Sequence, residues 1–282
     1  MDKSISSEAR SSRVAILLAG LVIVSAVFVT AIPTPAAQYF RFYSLMFLNA
    51  SETQPRGINN AGVIVGSPGF VWQNGTFTAF KGPDSQAAEP TGINSSNQMV
   101  GTDSAGGFFY SGGTFTTIAL PGAQGTEPNG LNDSGVIVGQ YFPQTGSLQG
   151  FTYSGGAYAT ISFPGAASTG ARGINNAGQI VGFYTDSSGT NHAFIYSGGV
   201  FQNLFGSMCT SSVAYGINNL GSIVGFCDSR AYVYSYPNHN YIFFTEPGGP
   251  ALPFGINDSG RVTGEYDLQN GNINGFLAVP LQ

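Results

Sequence analysis

Charge is what this sequence has least of. Only 8% of its 282 residues are Asp, Glu, Lys or Arg, and 9 basic against 14 acidic side chains leave a net charge of −5. Beyond residue 40 the basic residues are Arg41, Arg56, Lys81, Arg172, Arg230 and Arg261 alone. That excludes a nucleic-acid surface, because phosphate backbones are held by a cationic face. Histidine is almost absent: His192 and His239 stand at inequivalent places, and neither Cys-x-x-Cys nor Gly-x-Ser-x-Gly occurs. A zinc centre and a serine-hydrolase triad therefore lack their usual sequence signatures. No helical apolar period appears after residue 40, and the single tryptophan, Trp72, reads as packing between repeats.

What is abundant is glycine, 41 residues, and aromatic side chains, 13%. They recur. The glycine opening each Gly-Ile-Asn or Gly-Leu-Asn triplet falls at Gly57, Gly92, Gly130, Gly173, Gly216 and Gly255, at periods of 35, 38, 43, 43 and 39. Nine residues on, in all six copies, stands a second glycine: Gly66, Gly101, Gly139, Gly182, Gly225 and Gly264. Seven residues separate paired aromatics, as from Phe108 to Phe115 and from Phe194 to Phe201. Length varies in one place, where 3, 6, 11, 11, 6 and 11 residues follow the second glycine in successive units.

Each fixed part has a backbone reason. Asn175-Asn176-Ala177-Gly178 reads as a type I turn with asparagine first and glycine fourth in a left-handed conformation; Asn97 holds that fourth place in the second unit. Asn74-Gly75, Gly112-Gly113, Gly155-Gly156 and Gly198-Gly199 are dipeptides of two-residue type I′ hairpins. Stretches such as Gln179-Ile180-Val181-Gly182-Phe183-Tyr184 are short, β-branched strands. Each unit is thus four antiparallel strands, and six such units predict a six-bladed β-propeller. The last unit stops after its third strand at Val279, while Phe42-Tyr43-Ser44-Leu45 reads as a fourth strand without a unit. A ring uses that split: residues 39 to 48 complete the sixth blade, making 39–282 one propeller.

Residues 1–38 read separately. Lys3, Arg10 and Arg13 precede an apolar run from Val14 to Ile32, the pattern of a signal peptide or membrane anchor with a short linker. Positive residues stay inside, so the ring is expected outside the cytoplasm, secreted, periplasmic or surface-held, touching membrane only through that segment. A monomer is expected. In an exported chain Cys209 and Cys227 raise a disulfide, which alternating connections permit by placing both near one face.

Gly173-Ile174-Asn175-Asn176-Ala177-Gly178-Gln179-Ile180-Val181-Gly182 followed by His192-Ala193-Phe194 resembles the HAF repeat family of extracellular bacterial proteins. The likeness covers residues 42 to 279. It implies an exported β-repeat protein and carries over no catalytic residue.

Connections alternate between two faces, one of uniform tight turns and one of variable loops, and binding residues tend to sit on variable loops over a rigid scaffold. Immediately before the first glycine of each unit stand Arg56, Thr91, Asn129, Arg172, Tyr215 and Phe254. On innermost strands they form a rim at the axis. Arg56 and Arg172, three blades apart, could grip a carboxylate or uronic acid, and Tyr215 with Phe254 could stack on a sugar. The plainer reading makes them ordinary loop-entry residues.

Acids recur in the variable loops at Asp103, Asp186, Asp228, Glu265 and Asp267. A pair of them could serve a glycosidase, and Asp186-Ser187-Ser188-Gly189-Thr190-Asn191 is the one stretch that could hold calcium; otherwise aspartates in such turns cap them. No catalytic set and no other cofactor is expected. The sequence points to a non-catalytic binding or scaffold propeller for glycans, cell-envelope polymers or an extracellular protein. A carbohydrate-active hydrolase or lyase acting at the same face is the alternative.

Overall fold

The computed structural model describes residues 39–47, 50–236, 238–245, 250–267 and 273–281. The leader predicted over residues 1–38 lies outside them. Among the described residues the chain forms six four-stranded antiparallel sheets and no helix. They are the blades of a six-bladed β-propeller. Blades 1 to 5 take their strands in sequence order, over residues 54–79, 89–118, 123–161, 168–203 and 212–244. Blade 6 uses three strands from residues 251–280 and closes with Phe40–Leu45, which pairs antiparallel with Ile273–Pro280 from Phe40 opposite Pro280 to Leu45 opposite Gly275. The split seen in the sequence is the seam of the ring.

Turn chemistry explains the regular spacing. Asn97 takes φ +58 where Gly62, Gly135, Gly178, Gly221 and Gly260 take φ between +74 and +80, so each first turn ends left-handed. Both central residues of the aromatic hairpins are also positive, as in Gly198 (φ +59) and Gly199 (φ +86), which is the type I′ signature.

The core lies between blades. Six buried clusters each join one blade to the next, for example Val63, Val65 and Phe80 with Ile93, Met99 and Phe108. The first aromatic of every pair sits at these junctions. Phe70, Phe108, Phe151, Phe194, Tyr232 and Phe276 are all at most 2% exposed, and each such ring contributes about 1.5–3 kcal/mol by leaving water. Tyr232 is the one with a hydroxyl, and it donates to Val213 O at 3.1 Å. Trp72 packs half-buried on Leu45, Ile58, Ile64, Phe70 and Leu277, across the seam between blades 6 and 1.

The nine-residue step between glycines is one structural device. A Cβ on the second glycine would strike the facing carbonyl of the innermost strand, 2.0 Å from Gln54 O at Gly66, from Gly170 O at Gly182 and from Val213 O at Gly225. The first glycines form a collar around the axis. A Cβ on Gly57 would lie 3.2 Å from Gly92 Cα, and the same relation links Gly92 to Gly130, Gly130 to Gly173, Gly173 to Gly216 and Gly216 to Gly255. Innermost strands approach backbone to backbone there, which only glycine allows.

Candidate functional site

The collar divides the axis into two ends with different chemistry. Directly before each collar glycine the innermost strand carries a bulge, with register shifts at Pro55/Gly57, Pro90/Gly92, Pro128/Gly130, Ala171/Gly173, Ala214/Gly216 and Pro253/Gly255. The skipped residues are Arg56, Thr91, Asn129, Arg172, Tyr215 and Phe254. A bulge re-aims its extra side chain, and here it gathers the whole predicted rim around the loop-face end of the axis.

These side chains meet across blades. Arg56 lies over the Phe254 ring at 4.6 Å, Phe254 meets Tyr215 edge-on at 5.0 Å, and Arg172 lies 5.8 Å from the Tyr215 ring. Arg172 Nη1 donates to Asn129 Oδ1 at 3.5 Å, Asn129 Nδ2 to Ala171 O at 2.9 Å, and the Thr91 hydroxyl to Pro128 O at 2.8 Å. The rim is therefore a cation–aromatic arc over blades 1, 6, 5 and 4, plus a polar pair on blades 2 and 3. The two rings expected to stack on a sugar already pack against each other and the guanidinium groups.

A second tier, of which the sequence singled out only Glu265 and that as a loop acid, follows the second glycine of each unit: Ser67, Thr102, Gln140, Phe183, Phe226 and Glu265. Phe183 lies 5.4 Å from the Arg172 guanidinium, Phe226 lies 6.2 Å from the Tyr215 ring, and Gln140 Nε2 donates to Glu127 at 2.6 Å. Its signal was present in the sequence as the residue that changes type beside an unvarying glycine.

Electrostatics single out the same place. Arg172 is half-buried as a side chain, yet its Nε is fully enclosed without a hydrogen-bond partner, and Gln140 Oε1 and Glu265 Oε2 are likewise enclosed and unpartnered. Among the described residues neither Arg56 nor Arg172 lies within 4.0 Å of a carboxylate oxygen. Burial pulls the Arg172 guanidinium below its usual pKa, opposed by Tyr215 and Glu127 and reinforced by the like charge of Arg56. Burial raises the Glu265 carboxyl, opposed by Arg56, and raises the Tyr215 phenol, opposed by Arg172 and Arg56. An enclosed charge without a counter-ion is costly, and Arg172 is offset here by an amide oxygen and two ring faces instead.

The loop acids separate into roles. Asp103 caps its own turn at Ala105 N, 2.8 Å, and Asp228 accepts from Thr210 N and Ser211 N beside the Cys209–Cys227 disulfide. Asp186 accepts from Ser188 N, the Ser188 hydroxyl and Thr190 N on Oδ1, and meets His192 Nε2 at 2.8 Å on Oδ2. Those bonds hold its pKa well below the usual carboxylate range, the Ser188 hydroxyl most and His192 next. Both oxygens of the calcium candidate are engaged by its own loop, and the tight cluster of Cys209, Cys227 and Asp228 is a disulfide with a turn cap beside it. Glu265 alone of these acids carries an unpartnered buried oxygen at the axis. Asp267 lies exposed in the last of the variable loops.

At the turn-face end the residues are nearly identical. Asn59, Asn94, Asn132, Asn175, Asn218 and Asn257 each donate Nδ2 to the backbone carbonyl of the same asparagine in the next blade, at 2.9 to 3.3 Å, and the circuit closes from Asn257 to Asn59. Their Oδ1 atoms accept from their own turns, as Asn175 does from Ala177 N and Gln179 N. An outer circuit follows: Asp133 N donates to Asn176 Oδ1, Asn176 N to Asn219 Oδ1, Asn219 N to Asp258 Oδ1 and Asp258 N to Asn60 Oδ1. An axial cavity of about 70 Å³ opens here, lined by these residues and their preceding Ile or Leu side chains. It has room for a few waters and none for a sugar.

No protein-family model matches the chain, and no curated protein does. Solved structures similar to it include the extracellular domain of BT4673 from B. thetaiotaomicron, at 10% identity and TM-score 0.47, covering 84% of this chain; the chain spans 40% of that one. YCF48 bound to D1 peptide is similar at 12% identity and TM-score 0.45, covering 88% of this chain and 99% of that one. Aleuria aurantia lectin in complex with Fucα1-6GlcNAc is similar at 10% identity and TM-score 0.43, covering 87% and 93%.

Proposed function

We propose that the chain is an exported, non-catalytic binding propeller that engages an acidic glycan or cell-envelope polymer on its loop face, at the axial rim. Arg172 carries this reading: its half-buried guanidinium has no carboxylate oxygen within 4.0 Å among the described residues and is held by Asn129 Oδ1 and the Phe183 and Tyr215 rings, so its charge is incompletely offset. A ligand carboxylate would offset it. The rim mixes guanidinium, aromatic and amide side chains, a combination that suits an acidic sugar. Binding is favoured over hydrolysis because Asp103 and Asp186 spend their carboxylates on their own turns and Asp228 spends its on the Thr210 and Ser211 amides. Export and membership of the HAF-repeat family belong to the same proposal; the apolar leader and the repeated Gly-Ile-Asn motif support them.

Thermal shift of the soluble ring against acidic and neutral polysaccharides tests it. A rise in Tm with acidic polymers, lost in the Arg56→Ala, Arg172→Ala double variant, is expected. A rise that survives the double variant removes the axial rim from the function.

A further inference from the structure

Four Asn-Gly pairs occur in the sequence, at Asn74-Gly75, Asn129-Gly130, Asn270-Gly271 and Asn274-Gly275. Asn270-Gly271 lies outside the described residues, and the other three are held differently. Asn129 and Gly130 belong to the innermost strand of blade 3, where Asn129 Nδ2 donates to Ala171 O at 2.9 Å and Gly130 is buried in the collar. In blade 6, Gly275 is buried and paired with Leu45 on one side and Glu265 on the other, while Asn274 Nδ2 donates to the Tyr266 hydroxyl at 3.5 Å. Asn74-Gly75 is instead the tip of the blade 1 hairpin, with φ +50 and +85. Asn74 is exposed, and among the described residues no hydrogen bond holds its side chain. The matching tips of blades 2, 3 and 4 are Gly-Gly, so of these four hairpins only the first carries an amide side chain at that place.

An asparagine followed by glycine can react with its own backbone, and asparagine is among the thermolabile residues. The Gly75 amide nitrogen, with no Cβ beside it, gives its proton to hydroxide and attacks Asn74 Cγ. The new N–C bond closes a cyclic imide as the Cγ–Nδ2 bond breaks and ammonia leaves. Water then opens the imide at either carbonyl, giving aspartate or isoaspartate, whose main chain runs through the former side-chain carbon. Hydroxide and water are the only co-reactants. The ladder of this hairpin ends at Gln73 opposite Thr76, so the Gly75 N–H lies outside it and the attack costs no strand pairing. The pairs in blades 3 and 6 would first have to leave their sheets.

What the turn holds gives the reaction a consequence. A two-residue turn fixes the register of its strands, and here that register sets Trp72 opposite Phe77. Both rings pack in the cluster that joins blade 6 to blade 1, where Phe77 meets Phe70 at 5.1 Å and Phe47 at 5.5 Å. Isoaspartate puts an extra main-chain atom into that turn. The strand it displaces, Thr76–Ala79, is short and sits at the edge of its sheet, paired on one side alone. We infer that Asn74-Gly75 is a self-modification site whose isoaspartyl product loosens the junction of the first and last blades. The site is independent of what the rim binds.

The test ages the folded ring in mildly alkaline buffer and maps its peptides by mass spectrometry, with isoaspartate counted by isoaspartyl methyltransferase labelling. Isoaspartate should accumulate at residue 74, faster as hydroxide rises, while the peptides holding Asn129 and Asn274 stay unmodified. The aged protein should lose about 2–4 °C in Tm, the shift of a mildly weakened domain of this size. Asn74→Gly copies the tips of blades 2 to 4 and should keep its starting Tm through the same treatment. Asn74→Asp has the charge without the extra atom and should start at the parent's Tm. No isoaspartate at residue 74, or reaction at residue 129 or 274 as fast as there, would overturn the modification site. Conversion at residue 74 with no loss of Tm, or an equal loss in aged Asn74→Gly protein, would overturn its link to the blade junction.

Discussion

The two ends of the axis lie three residues apart on the same six strands and obey opposite rules. At the turn face six asparagines are identical, fully bonded and closed into a circuit; at the loop face six bulged residues are all but unlike one another, and the most enclosed polar atoms there go unpartnered. A side chain whose partner is the next repeat cannot vary, because every junction poses the same geometric demand. A side chain whose partner is something else is released from that demand. Repetition records what the ring needs from itself, and its breakdown marks where that need ends.

The comparison can be broken most severely at the strands that frame it. Gly182→Ala places a Cβ 2.0 Å from Gly170 O, a backbone atom that cannot yield, so loss of more than about 4 kcal/mol and little soluble folded protein are expected by circular dichroism. The disulfide comes next. Cys209 and Cys227 are 18 residues apart, and Cys209→Ser with Cys227→Ser should cost about 3 kcal/mol in denaturant unfolding. Asn218→Asp keeps the turn acceptor but replaces the donor to Asn257 O with an oxygen, and should cost about 2 kcal/mol. At the loop face the sign reverses. Arg172→Met removes an enclosed unpaired charge and should leave the unliganded ring as stable or about 1 kcal/mol more so, while abolishing ligand-induced stabilisation. If both ends respond with the same sign, the division of roles is wrong.

The smallest effect sharpens the contrast through pH. Glu265 is raised in the folded state by burial, so the ring binds its proton more readily than the unfolded chain does. Its contribution to stability grows as pH falls through the folded pKa and levels off near the unfolded value of 4.5. Asp133 at the turn face runs the other way: burial opposes, but bonds from Asn176 and Ser95 prevail and lower it, so its contribution is lost as pH falls through its folded pKa, below 3.8. Between neutral pH and about 4.5, Glu265→Gln should flatten a rise in Tm that the parent shows, and Asp133→Asn should leave that rise intact.

Much of this could be read from the chain because its information is periodic. Asn97 in place of a fourth-position glycine, the Gly-Gly hairpins and the unpaired Phe42-Tyr43-Ser44-Leu45 segment each state a local backbone requirement, and together they close a ring. The rim residues were legible as positions, since they adjoin an unvarying glycine, but the bulge that turns them onto the axis depends on register and has no composition of its own. The asparagine circuit is half-legible: asparagine at the first place of a type I turn bonds back to that turn, as Asn175 does, yet the other side of the same amide serves the next blade. Gln140 was not legible, and Glu265 only as a loop acid, because a polar residue beside a strand glycine looks like an exposed one until the neighbouring blade covers it.

The seam has a directional result. Phe40 begins the closing strand beside Pro280, and Leu281 N donates to Tyr39 O at 2.9 Å, so the polypeptide enters and departs at the rim of the asparagine side. Whatever is joined through residue 39 leaves from that side. A tether there would hold the disc like a dish on a stem, its arginine-bearing surface turned outward toward whatever drifts past.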